Sequence, residues 1–389
     1  MKPEEIKKKR KALGLSQQQL AEETGFGVAS IKRWESGNSQ PTEANARRLR
    51  QHLQPNPMKG FRERLSGLGI KRKFLNEIIL PDWWSDSMGN EPNGLLLAAG
   101  YVADYLGVKR SELLKEDLKG FSFVSGTGSV RYKAPSNKQP VTQEREDSLR
   151  LATSISYQAA AYTGDAVIGE TADLPDPDDL RKQLLNRGEH RWVSLDDLLH
   201  ACWSHGIGVI HLNKRAFPTG TVKPDALAAW SGLKRVIVLI KEQHSASWLS
   251  YTLAHELGHF FHGHIPEGDF YLDQSLQAER IGKEEQEADD YAMRLLTGEP
   301  DLGIYIPYRP KSADLAERAR HYSRRYRVAP GVVALNYGMS TGNWGIANGA
   351  VRIVDENRKA LRLVQEYRDQ QLDWDALSEE RREWIRRIS

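Results

Sequence analysis

The segment from Ser247 to His264 strongly constrains the fold of this 389-residue chain, because it contains an H-E-x-x-H motif that runs from His255 to His259. Two imidazoles four residues apart lie on one face of an α-helix, where they can bind a single metal ion. Large apolar side chains recur through the segment at helical spacing, which indicates burial against a core. The sequence therefore predicts a buried helix that binds a metal.

A catalytic zinc usually has three protein ligands, so a third ligand is expected downstream. Acidic residues crowd positions 284–290 and are followed by apolar positions, which predicts a second amphipathic helix. Within it we select Glu287 as the third ligand, because it stands beside the small Ala288 where the helix becomes apolar. Glu284, one turn earlier, is the alternative.

Together the two motifs resemble the ImmA/IrrE family of metallopeptidases, whose pattern is H-E-L-G-H followed by E-A-N-x-F-A. In this chain the second motif occupies residues 287–292, with Asp289 where the family usually has Asn. The resemblance covers roughly residues 165–350 and includes two short apolar runs, 207–210 and 236–240, that are predicted to be buried strands. It implies a zincin-like domain that hydrolyses peptide bonds.

By that resemblance His255, His259 and Glu287 hold Zn²⁺, which activates a water molecule and polarises the scissile carbonyl. Glu256 is then the general base, which takes the proton from the water and delivers it to the leaving amine.

Several nearby side chains are candidates for supporting roles. An oxyanion needs a hydrogen-bond donor, and Tyr291, His262 and His264 are candidates that the sequence does not rank. Asp289 or Asp290 could orient a ligand imidazole. The simpler interpretation of His262 and His264 is that they are solvated residues beyond the helix end.

Charge is distributed unevenly along the chain. The net charge is +3, but residues 1–55 hold eleven Lys or Arg against six Glu, a net charge of +5. A basic N-terminal segment on a nearly neutral body indicates a polyanionic partner.

The N-terminal pattern predicts four short helices. Ser16 and Gln19 form a capping-box pattern, and a glycine turn separates the second helix from a third with small and basic residues. Residues 4–53 resemble the Xre/Cro-type helix-turn-helix family, whose second helix of the motif enters the major groove. The resemblance implies these DNA-binding residues: Gln17 for phosphate, and Val28, Ala29, Ser30, Lys32 and Arg33 for bases. For Lys32 and Arg33 the alternative is a phosphate contact, which is the more frequent role of a basic residue at such a position. A helical bundle that contacts only protein is the alternative.

We expect a mainly α protein with a small β-sheet (α+β). The predicted parts are a helix-turn-helix bundle at 1–55, a helical middle region at 56–164 with an exposed loop at 120–147, a metallopeptidase domain at 165–350 and a helical tail at 351–389. Cys202 is the one cysteine, so an internal disulfide is excluded, and its apolar neighbours indicate a buried thiol. Without a membrane-length apolar run or a signal-like start, we expect a cytoplasmic protein without a membrane partner.

Three functions follow as hypotheses. In the first, a DNA-binding regulator carries a zinc peptidase that cleaves a partner protein. In the second, a repressor and antitoxin binds its operator and neutralises a co-encoded toxin without proteolysis. In the third, the peptidase cuts its own chain within the 120–147 loop. The expected partners are a double-stranded DNA operator and either a protein substrate or a toxin, and a homodimer is expected because helix-turn-helix modules usually contact two half-sites.

Overall fold

The computed structural model describes residues 1–12, 15–53, 57–91, 93–115, 131–132, 143–187, 190–240, 245–267, 270–273, 282–303, 310–355 and 359–389. The α-helices in these ranges are α1 Pro3–Ala12, α2 Gln17–Thr24, α3 Val28–Ser36, α4 Glu43–His52, α5 Pro57–Gly67, α6 Arg72–Phe74, α7 Gly94–Leu106, α8 Arg110–Leu113, α9 Gln143–Asp165, α10 Pro177–Asn186, α11 Leu195–Ser204, α12 Ala246–Phe261, α13 Lys283–Thr297, α14 Ser312–Tyr326, α15 Pro330–Thr341, α16 Trp344–Val354, α17 Ala360–Gln371 and α18 Glu379–Ile388. The strands are β1 Arg131–Tyr132, β2 Ile207–His211, β3 Ala226–Ser231, β4 Lys234–Leu239 and β5 Phe270–Asp273.

The N-terminal helices form a small domain with its own core. Ser16 accepts from the main-chain N–H of Gln19, whose side chain accepts from Ser16 N–H, so the predicted capping box is present. Gly25 and Gly37 end α2 and α3 in the left-handed region. The buried apolar cluster of this domain contains Ile6, Leu20, Ala21, Ile31, Trp34, Leu49 and Leu53.

The described residues from 57 onward share one large hydrophobic cluster. Buried side chains from Met58 in α5 to Ile388 in α18 belong to it. The predicted middle region, metallopeptidase domain and tail thus contribute to a common core. Cys202 is completely buried in this core, and burial raises the pKa of its thiol.

The sheet has the strand order β1-β5-β3-β4-β2. β2 and β4 are parallel neighbours, while β3 is antiparallel to β4 and β5. β2 and β4 occupy the two runs that the sequence predicts as strands. β1, β3 and β5 lie in segments for which the sequence predicts no strand.

The sheet lies between α9 and α12. Ser231 of β3 donates to the Ala161 carbonyl of α9, while its neighbour Trp230 packs edge-to-face on Phe260 of α12. Successive strand residues point to opposite faces, so α9 and α12 cover opposite faces of the sheet. This arrangement seats the H-E-x-x-H helix on a rigid layer.

The predicted loop at 120–147 is partly corrected. Helix α9 begins at Gln143, so residues 143–147 are helical, and 131–132 pair with β5. The other residues of that loop lie outside the described ranges. In the described part of the chain, no helix has the length and apolarity that crossing a membrane requires.

Candidate metal centre and nucleic-acid interface

Helix α12 is held in place at its N-terminal end. Ser245 caps it by accepting from Trp248 N–H at 3.2 Å, and Asp355 accepts from the main-chain N–H and the hydroxyl of Ser247 at 2.9 and 2.7 Å. Residues 247–260 are all buried. The orientation of the helix is therefore fixed by the core around it.

A close contact between Gly258 and Ala288 brings α12 and α13 together. A Cβ atom at Gly258 would lie 2.8 Å from the Ala288 Cα and 2.9 Å from its carbonyl oxygen. Only glycine permits so short a separation. The contact places the acidic start of α13 against the two histidines of the motif.

Three side chains meet at this contact: His255, His259 and Glu285, all of them buried. The two Nε2 atoms are 3.2 Å apart. The Glu285 carboxylate oxygens lie 3.7 Å from His255 Nε2 and 3.9 Å from His259 Nε2. Ligand atoms of a tetrahedral zinc, about 2.0–2.2 Å from the ion, are roughly 3.3–3.5 Å apart, so this group fits one small divalent cation.

Glu285, and not the predicted Glu287, is the carboxylate beside the histidines. Glu285, Ala288 and Ala292 follow one another at helical spacing and are buried, which identifies the face of α13 that packs on α12. Glu287 lies two positions, or about 200°, around the helix from Glu285. The alternative Glu284 is also outside the group and only partly buried.

His255 is oriented from behind by Asp289. The Asp289 Oδ1 atom is 2.8 Å from His255 Nδ1 and accepts a hydrogen bond of 2.7 Å from the Tyr251 hydroxyl. A carboxylate at Nδ1 holds the proton there and directs the lone pair of Nε2 into the group. Of the two aspartates considered from the sequence, Asp289 takes this position, while Asp290 is exposed.

His259 is oriented by a second chain of contacts. Its Nδ1 is 3.0 Å from His264 Nδ1, and His264 Nε2 is 3.0 Å from Glu287 Oε2. Lys283 lies 3.1 Å from Glu287, and the hydrogen bonds from Lys283 and His264 lower the pKa of Glu287. Glu287 thus supports His259 through His264, which is buried and not solvated as the simpler interpretation expects.

These contacts affect the electrostatic repulsion between the two Nε2 atoms of the group. If His255 and His259 keep their Nδ1 protons toward Asp289 and His264, two Nε2 lone pairs face each other at 3.2 Å. A cation between them removes that repulsion. The donor set of two imidazoles and one carboxylate suits zinc and other late divalent metals.

The other candidates for supporting roles have different surroundings. The Tyr291 hydroxyl donates to the Pro175 carbonyl at 3.5 Å, and burial raises its pKa. His262 is largely exposed and its ring stacks on that of His264. Partial desolvation of the ring and then the neighbouring His264 lower the pKa of His262. Glu256, the expected general base, is completely buried on the same turn of α12 as His255.

The basic residues of α3 are exposed. Val28, Ala29, Lys32 and Arg33 face solvent, and Ser30 is half-buried. On the opposite face Ile31 and Trp34 enter the domain core. The exposed face of α3 is therefore available to a duplex.

Gln17 has a structural partner. Its amide donates to Glu35 at 2.7 Å, and Glu35 also accepts two hydrogen bonds from Arg10 at 2.6 and 3.0 Å. Burial acts to raise the pKa of Glu35, but the hydrogen bonds from Arg10 and Gln17 outweigh it and the pKa is lowered. Glu35 thus links α1, α2 and α3. A phosphate contact by Gln17, as predicted, would compete with its hydrogen bond to Glu35.

Comparison with known proteins agrees with the N-terminal fold. A helix-turn-helix family model matches residues 6–54. This match supports the prediction that the chain is a DNA-binding regulator. No curated protein and no solved structure matched the chain, and the ImmA/IrrE resemblance of the C-terminal part remains a prediction.

Proposed function

We propose that the chain is a DNA-binding transcriptional regulator whose C-terminal part is a zinc-dependent endopeptidase, with a partner regulatory protein or the chain itself as substrate. The observation that carries the enzymatic half is the buried His255–His259–Glu285 group, which lies next to Glu256 on the same helix. The helix-turn-helix domain would bring the peptidase to an operator.

Each side chain has a role in this proposal. His255, His259 and Glu285 would hold the metal, while Asp289 and His264 orient the two imidazoles. Bound zinc supplies a Lewis acid and lowers the pKa of a bound water toward about 7. Glu256 would act as the general base and acid, with its carboxylate accepting a proton from a water in the site and returning it to the departing amine.

A second candidate is a repressor and antitoxin that masks a protein partner without cutting it. Complete burial of His255, Glu256 and His259 favours this alternative. A peptide substrate reaches these groups only when the chain around them moves, whereas a structural metal that holds α12 to α13 needs no access.

Metal content and new protein termini distinguish the two. We expect about one zinc per chain by elemental analysis in the intact protein, in Glu256→Gln and in Glu284→Ala, and none in Glu285→Ala. Cells that express the intact protein should show new protein N-termini by terminal labelling and mass spectrometry, and cells that express Glu256→Gln should not. If the intact protein and Glu256→Gln both contain zinc and give identical protein termini, the peptidase function is excluded and the binding function is favoured.

The DNA-binding half has its own test. Lys32→Ala and Arg33→Ala should each weaken binding to a random duplex and reduce the slope of log K against log salt by about 0.9 for each lost phosphate contact. Lys73→Ala is a control, since Lys73 is exposed outside the matched residues. Unchanged binding by both α3 variants would favour a bundle that contacts protein only.

A further inference from the structure

A cavity of about 320 Å³ lies between α7, the end of α9 and α18. It contains none of the residues of the metal group and belongs to none of the functions proposed above. Its volume is near the lower end of the range of about 300–1,000 Å³ for small-molecule sites. Aromatic rings form much of its lining: Tyr101, Tyr105, Tyr162 and Trp384.

The aromatic rings of the lining pack against one another. Tyr105 and Tyr162 each contact Trp384 edge-to-face, with ring centroids 5.4 Å apart in both pairs. Leu96 and Leu97 complete the apolar part of the lining and remain 43% and 39% exposed. These preformed apolar surfaces suit a ligand with a compact apolar body.

Two of the three arginines that line the cavity are already engaged. Arg387 donates to the Leu80 carbonyl at 2.8 Å and to Asp82 at 2.9 Å. Arg381 lies over the Tyr162 ring at 4.4 Å and pairs with Asp165 at 3.2 Å. Their positive charge is thus largely compensated, and Arg110 is the third.

Carboxylates dominate the remaining charge. The lining and its ion-pair partners hold five carboxylates (Asp82, Asp104, Asp165, Glu380 and Glu383) against three guanidinium groups (Arg110, Arg381 and Arg387). Burial and then Glu380, Asp104 and Glu383 raise the pKa of Tyr101. Asp104, Glu380 and Glu383 line the cavity together with Tyr101, so a positive group is favoured beside them.

We propose that this cavity binds a small organic cation with an apolar body, such as an aryl-alkyl amine. The apolar body packs among Tyr105, Tyr162 and Trp384, and the ammonium group lies between Asp104 and Tyr101. Aromatic faces add to the carboxylate attraction, because a cation over a ring is held by the ring quadrupole.

The position of the cavity gives binding a structural consequence. Helix α9 packs on the face of the sheet opposite to α12. Helix α18 lines the other side of the cavity. A ligand that contacts both α9 and α18 stabilises their packing. Its binding should therefore raise the unfolding temperature of the core that also contains α12.

Three ligands of the same shape test the proposal by calorimetry on the full chain: 4-phenylbutylamine, 4-phenylbutanol and 4-phenylbutyrate. We expect the amine to bind at least tenfold more tightly than the alcohol, and the carboxylate more weakly than both. Asp104→Asn should weaken amine binding at least tenfold and leave the alcohol unchanged. Glu366→Gln, an exposed carboxylate of α17, should change neither.

A second variant keeps the test independent of Asp104. A Cβ at Gly100 meets no atom within 4 Å, so Gly100→Leu should fill the cavity without a main-chain clash and abolish binding of all three ligands. Equal affinity for the amine, the alcohol and the carboxylate, tighter binding of the carboxylate, or no heat from the amine at millimolar concentration would each overturn the proposal.

Discussion

The two motif imidazoles depend on residues that do not touch the metal position. Asp289 faces Nδ1 of His255, and His264 faces Nδ1 of His259. Both contacts restrict the rotation of the rings, and the two Nε2 atoms lie 3.2 Å apart. The geometry of the group therefore depends on Asp289 and His264 as well as on the ligands.

Asp289→Asn should weaken zinc binding by roughly 10- to 100-fold, because an amide does not hold the His255 proton as a carboxylate does. Competition with a zinc-binding dye measures the affinity. Asp290→Asn is the matched control, since Asp290 is exposed on the next position of α13, and its affinity should equal that of the unmodified chain. Equal affinities in both variants would exclude a role for Asp289 in orienting His255.

At the scale of elements, the separation between α12 and α13 is set by one glycine. The Gly258 position meets the main chain of Ala288, and main chain cannot move aside as a side-chain end can. Because Glu285 and Asp289 are on the same face of α13 as Ala288, the spacing of the helices decides whether the carboxylates reach the histidines.

Gly258→Ala should separate the helices by a few tenths of an ångström, destabilise the protein by about 1–3 kcal/mol and lower the metal affinity. Thermal unfolding and the dye competition measure these effects. Gly345→Ala in α16 meets no atom within 4 Å, so it should leave stability unchanged or raise it by about 0.4–1 kcal/mol. An unchanged metal affinity in Gly258→Ala would show that the group tolerates a wider separation.

At the scale of the whole molecule, the buried hydrophobic residues of the described ranges form two main clusters. One lies within the helix-turn-helix domain, and the other runs from Met58 to Ile388. A domain of about 50 residues buries a smaller fraction of its surface than a large one, so its stability is modest. The two clusters should therefore unfold independently.

Calorimetry should show two thermal transitions, and removing metal with EDTA should lower only the one that belongs to the larger cluster. Bound metal stabilises that part by about 2.7 kcal/mol at a free concentration of about 100 times Kd. Leu20→Ala, which removes a buried side chain of the smaller cluster, identifies the other transition by lowering it alone. A single transition that shifts with metal would show that the two clusters unfold together.

The sequence by itself determined the features that depend on local periodicity. Helical spacing put His255 and His259 on one face, capping residues and turn glycines placed α2 and α3, and apolar runs located β2 and β4. The mainly α architecture with a small sheet followed from the same patterns. Each of these features is set by residues close together in the chain.

The tertiary structure alone decided which acidic residue joins the histidines. Periodicity shows that Glu285 and Glu287 lie on different faces of α13, but the packing on α12 selects the face, and Gly258 sets that packing. His264 is buried beside the ring of His259 because the chain after α12 turns back, with the His264 N–H donating to the His259 carbonyl. The strands β3 and β5 likewise depend on distant neighbours for their hydrogen bonds. Local periodicity thus determines which residues share a face of a helix, and long-range packing determines which neighbouring residues that face contacts.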